Sequence, residues 1–177
     1  MELGRHYLET VRFELSRLKT LAENAMAQVP DDAGLHFSLD PEANSIAVLV
    51  QHLSGNLRSR WTQFLETDGE KPDRNRDGEF EAAPNRTRKE LTELWESGWS
   101  RAFETLASLR PEDLEKTVRI RGEELTVPEA MQRQLAHAAY HVGQIVLLAK
   151  HRSSSSWKSL SIPRGASKGV AGAYKKA

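Results

Sequence analysis

The chain has 177 residues, 25 lysines and arginines against 25 aspartates and glutamates, six histidines and no cysteine. That length suits one domain with a real core, and a formal net charge of +0 excludes the bias expected of a nucleic-acid or anionic-membrane binder. Without cysteine there is no disulfide and no thiolate metal site, so any soft nucleophile has to come from a substrate.

The first amphipathic stretch runs from about Gly4 to about Gln28, with Tyr7, Leu8, Val11, Leu15, Leu18 and Leu21 spaced three and four apart. Pro30-Asp31-Asp32 ends it, and a loop through Phe37 and Pro41 follows. Asn44 or Ser45 caps a second helix, whose stripe is Ile46, Leu49, Leu53, Leu57, Trp61 and Phe64. A charge-dense segment from about Asp68 to Arg86 precedes a third helix, about Thr87 to Leu109, in which Thr87 and Glu90 form a capping box. The stripe of Trp61, Trp95 and Trp99 is expected in the core. Pro111 breaks the pattern, and Val118 to Val127 alternates around Gly122 as a small hairpin would. Pro128 sits well in the first turn of a fourth helix that reaches about His151. The serine run 153–156 reads as a connector, and the last ten residues, rich in Gly and Lys, are expected to be mobile.

The expected fold is all-α: a four-helix up-and-down bundle with a crossover connection and a small β-hairpin before the last helix. It would occupy residues 1–152, with a C-terminal extension over 153–177. The first residues, Met1-Glu-Leu-Gly-Arg-His6, lack the apolar run of a signal peptide, and no stretch approaches the length of a membrane span. A cytoplasmic protein is therefore expected, with no nucleic acid or membrane among its partners.

Three histidines carry the chemistry. His137 and His141 lie in His137-Ala-Ala-Tyr-His141-Val-Gly-Gln-Ile145. A four-residue step puts both imidazoles on one helix face, with Cβ atoms about 6 Å apart. Both flank the apolar stripe of Met131, Leu135, Ala138, Val142 and Ala149, and His52 flanks the stripe of the second helix, so all three stand where a cavity edge would be. Two imidazoles from one helix and a third from another can bind one divalent ion and leave a position for water or substrate, as catalytic rather than structural metal sites do. Three neutral ligands cancel none of the ion's charge, so it would lower the pKa of a bound water or thiol. The Glu of His-Glu-x-x-His is missing, since Ala138 follows His137, so no metalloprotease motif is present. Gln144, on the same flank as His141, and Asn56, one turn after His52, are the candidates for orienting a bound group. Tyr140 points away by helical phase and reads as structural. His6, His36 and His151 read as ordinary surface or satisfied side chains.

The segment from Asn44 through His52, Asn56, Arg58 and Arg60 to Trp61, taken with His137 to Ile145, resembles the DinB/YfiT-like superfamily. It is closest to a bacterial subgroup of unassigned function, which Asp68 to Phe80 and Trp157 to Gly165 also resemble. The resemblance implies a four-helix bundle holding a divalent ion, nickel or zinc, on His52, His137 and His141. It further implies a homodimer and chemistry related to thiol S-transfer, with a low-molecular-weight thiol and a small electrophile as substrates.

Alternatives remain open in the sequence. The same residues suit a metal-dependent hydrolase, a metal-binding or stress-related protein without turnover, or a structural bundle whose histidines are neighbours by chance. Arg74 and Arg76 can hold a carboxylate or phosphate, or they can pair with Asp77 and Glu79 and fix the loop. Arg164 in Ile162-Pro163-Arg164-Gly165 carries the same two readings.

Overall fold

The computed structural model describes residues 2–83 and 85–168. Among the described residues the protein is mostly helical, with five α-helices and one two-stranded antiparallel hairpin before the last of them. The helices are α1 (Glu2–Met26), α2 (Asp32–Leu35), α3 (Ile46–Trp61), α4 (Arg88–Ser108) and α5 (Val127–Ser153); the strands are β1 (Thr117–Ile120) and β2 (Glu123–Thr126). Short 3-10 turns cover Asp77–Phe80, Pro111–Glu115 and Ser154–Ser156. The helix α2 falls in the stretch expected to be loop, and its cause is local. Asp31 accepts the Gly34 amide at 2.7 Å and nucleates a single turn.

Helix boundaries follow from their caps. Ser45 accepts the Val48 amide ahead of α3. Thr87 and Glu90 close a capping box at α4, and Thr126 and Glu129 close a second at α5, where Pro128 occupies the first turn. Such caps satisfy amides that have no partner inside the helix, each worth about 1 kcal/mol. The hairpin pairs Thr117 with Thr126 and Ile120 with Glu123. Its turn residues Arg121 and Gly122 both have positive φ, 57° and 77°. That is the backbone of a type I′ turn, whose twist matches the flanking strands.

The long helices pack pairwise: α3 against α4 and α5, and α1 against α5 and α4. The α3–α4 contact is close because Gly98 faces the backbone of Ser54; a Cβ there would stand 2.8 Å from the Ser54 Cα. The shared core holds Leu15, Leu49, Leu53, Trp95, Trp99 and Met131, all essentially inaccessible. Trp61 is buried with them, as expected of the tryptophan stripe. Beyond α5 the chain stays attached to the body. Trp157 and Leu160 pack on the core, and Gln28 exchanges two hydrogen bonds with the Lys158 backbone. The mobility expected of the last ten residues falls, from residue 169 on, outside the described residues. Among the described residues no helix is long and apolar enough to cross a membrane.

Candidate metal centre

The structure brings His52 of α3 together with His137 and His141 of α5. One ring nitrogen from each lies within 4.8 Å of the others, a group that can hold a metal ion. His52 Nε2 and His137 Nε2 are 3.1 Å apart. Imidazole bonds of about 2.0–2.1 Å to a single ion would bring two nitrogens to about this separation. His52 and His141 are 3% and 2% exposed, deeper than the solvent-open cavity edge expected from helical phase. For His52 the cover comes from Glu79 and Phe80, which pack against its ring.

The carboxylate also orients the ring. Glu79 Oε2 accepts from His52 Nδ1 at 2.9 Å, which puts the proton on Nδ1 and turns the Nε2 lone pair toward His137. A carboxylate behind an imidazole is the usual second layer of a histidine metal site; it fixes the tautomer and makes the ring a better donor. Glu79 is held in turn by Arg74, through Nε to Oε1 and Nη2 to Oε2, both 2.7 Å. Burial alone would raise the Glu79 pKa. The hydrogen bonds from His52 and Arg74, with the guanidinium charge, outweigh it and keep the carboxylate ionised. Gly55 makes room for this arrangement, because a Cβ there would stand 2.1 Å from Glu79 Oε1.

Arg74 therefore takes the loop-fixing role of the two left open by the sequence. Glu70 binds it too, and joins it to Arg60 of α3 and Arg121 of the hairpin. Asp68 accepts the amides of Arg121 and Gly122, which ties the loop to the hairpin turn. Arg76 is different. Its contact with Asp77 is long and exposed, 3.7 Å, and its guanidinium lies 5.1 Å above the Phe80 ring. Arg164 stands exposed in the turn before Gly165.

The other two imidazoles are short of partners. His137 Nδ1 and both nitrogens of His141 are buried without a hydrogen bond. Leaving such an atom unmet costs about 1–3 kcal/mol; an ion takes one nitrogen from each ring, so it would relieve that cost at one nitrogen of His141. Burial pushes the His137 pKa down to about 3, helped by the neighbouring His141 and His52 and by Arg60 and Arg74. Burial and His52 bring His141 down to about 4, opposed by Gln144. Both rings are neutral near pH 7, the form that binds metal. Two neutral imidazoles and a third backed by a carboxylate make a group that can hold a metal ion.

Of the two orienting candidates, Asn56 is 6% exposed, lines the cavity beside His52 and leaves its Oδ1 without a donor. Gln144 approaches His141 without a well-formed hydrogen bond and is not among the cavity-lining residues. Tyr140 departs from its expected place. It lines the cavity, its ring centroid 3.9 Å from that of His141 and 5.7 Å from that of His137. Its Cα faces outward, but the long side chain folds back across the next residue. His36 gives Nε2 to the Arg86 carbonyl at 2.7 Å, His151 stacks on Phe37, and His6 is exposed, so none joins the group.

The sequence offers Glu79 as a partner for Arg74, which it is, but not for His52, and it assigns Gly55 and Tyr140 no part in the site. Nothing local pairs Glu79 with a histidine 27 positions earlier. Comparison with known proteins adds a family but no activity. No curated protein and no solved structure matches the chain. A family model does match, over residues 2–166: the chain belongs to DUF1572, whose description is a protein of unknown function.

Proposed function

We propose that this protein is a metal-dependent enzyme of the DinB/YfiT-like type, with the four long helices forming an up-and-down bundle around a divalent ion, nickel or zinc. The reaction we favour is thiol S-transfer to a small electrophile, with a low-molecular-weight thiol as co-substrate and a homodimer as the working form. One observation carries the metal reading: two buried imidazoles and a half-buried third meet within 4.8 Å, and a carboxylate orients one ring from behind.

The residues divide the work. His52, His137 and His141 would hold the ion, which supplies Lewis acidity and draws the pKa of a bound water or thiol toward neutrality. Glu79 keeps the proton on His52 Nδ1, and Arg74 keeps Glu79 in place. Asn56 offers its free carbonyl oxygen to a donor on the substrate. Tyr140 and Phe80 cover the imidazoles and limit the access of bulk water. A cavity of about 250 Å³ adjoins the group, at the small end of sites for small molecules. The lack of cysteine supports a thiol that arrives with the substrate.

The test starts with elemental analysis of the full chain refilled with nickel or zinc, beside His141→Ala. About one ion per chain, lost in the variant, is expected. A transfer assay with small thiols and electrophiles then reports activity that disappears with chelation. Wild-type protein that retains no ion after refilling would overturn the reading.

A further inference from the structure

The cavity beside the three histidines has an unusual wall. Six arginines line it, Arg60, Arg74, Arg76, Arg119, Arg121 and Arg133, and no aspartate or glutamate does, in a chain whose formal charges balance. Carboxylates behind the wall answer part of this charge. Glu70 is shared by Arg60, Arg74 and Arg121, Glu79 serves Arg74, and Glu124 pairs with Arg119 at 2.8 Å. Arg133 is exposed on α5 and has no ion pair among the described residues, and Arg76 has only its long contact to Asp77. Two guanidiniums thus face the cavity with charge to spare.

A buried group points the same way. Gln134, next to Arg133 on α5, lines the cavity, is 5% exposed and leaves Nε2 without an acceptor. A buried amide donor without an acceptor costs free energy unless something accepts from it. The lining also has an apolar part, with Trp61, Phe64 and Ile120. Arg76 is pinned over Phe80, and Phe80 packs on His52 with ring centroids 4.5 Å apart, so the cationic rim and the imidazole group belong to one continuous site.

We infer that this cavity binds a small organic anion, its carboxylate or phosphate held by Arg133, Arg76 and the Gln134 amide, its apolar body against Trp61 and Phe64. Guanidinium forks and an amide donor suit both kinds of oxyanion. The inference deepens the proposed function by naming the charge class of its substrate, but the anion contacts themselves need no metal ion.

The experiment is equilibrium binding of two probes, inorganic phosphate and benzoate, to the full chain at low and high salt. It uses wild type, Arg133→Gln, Gln134→Met and His141→Ala, each with its metal content measured. Binding of at least one probe is expected, weakened about tenfold in Arg133→Gln, which is about 1.4 kcal/mol. The weakening should also appear in Gln134→Met and shrink at high salt. Preference for phosphate or for benzoate identifies the oxyanion. His141→Ala should keep anion binding while it loses the ion, and Arg133→Gln should keep the ion, so the two readings fail separately. No binding of either probe at about 10 mM, where the free energy would be only about 3 kcal/mol, overturns the inference. So does an Arg133→Gln variant that binds as tightly as wild type.

Discussion

The two halves of α3 are alike as helix and opposite in their surroundings. At the Ile46 end the walls are Met26, Leu35, Leu91 and Trp95, and polar atoms are met: Trp95 donates to Glu23 at 3.1 Å, and Arg88 covers the carbonyls of Met26 and Val29. Two atoms are exceptions there, Gln51 Oε1 and Arg152 Nε, the latter in a guanidinium turned over Phe37. From His52 onward the helix meets charged loop, hairpin and cavity, and imidazole and carboxamide atoms are left without partners. One half spends its sequence on stability and the other withholds hydrogen bonds that stability would favour. Unmet polar atoms gathered on one half of a helix separate a binding site from ordinary core.

Substitutions should separate the halves in the same way. Trp95→Ala in the apolar half should cost about 3–5 kcal/mol in urea denaturation yet leave the ion content per folded chain unchanged. Loss of the ion in that variant, under conditions where it is folded, would join the halves and break the contrast.

Acid should act on the other half. His137 and His141 have folded pKa values near 3 and 4, below the 6.5 of an unconstrained imidazole. Below about pH 6.5 the unfolded metal-free chain therefore binds protons that the folded chain does not, so stability falls as pH falls. The limiting slope is about 1.4 kcal/mol per pH unit for each imidazole. Glu79, with its pKa lowered from 4.5, adds its own loss only below that value. Between pH 6.5 and 4.5 the effect on the urea midpoint should then belong to the imidazoles, and it should flatten in a His137→Ala/His141→Ala double variant. Equal slopes in the two proteins would contradict the assignment.

A smaller effect tests the layer behind His52. Glu79→Gln keeps the shape but removes the charge, and Gly55→Ala pushes a methyl into the same carboxylate. Each should weaken metal affinity by about 10–100-fold in a chelator competition. Gly55→Ala should also lose stability, because the helix propensity gained, about 1 kcal/mol, does not offset the cost of displacing a carboxylate bonded to His52 and Arg74. Smallest is Thr87→Ala, which opens the α4 capping box far from the site. About 1 kcal/mol of stability should go, with unchanged metal affinity by the same competition.

Much of the fold could be read because its causes are local. Leucine spacing marked α1 and α3, Thr87 with Glu90 marked the start of α4, and the glycine after Arg121 marked the hairpin turn. The histidine pair was legible for the same reason, since a four-residue step fixes its geometry within one helix. The tie between His52 and Glu79 was not, because it depends on how a 3-10 turn lands on a helix twenty-seven residues away. Tyr140 misled because helical phase gives the direction of Cα–Cβ and not the reach of a long side chain.

Gly55 and Gly98 have a joint consequence. On one side of α3 a carboxylate occupies the space of a side chain at Gly55, and on the other the α3 backbone occupies that of Gly98. A helix gripped on two sides at such short range has no clearance in which to roll about its axis. The aim of the His52 ring is thus set by two missing methyl groups as much as by any bond it makes, and α3 serves the site as a machinist's vee-block serves a shaft.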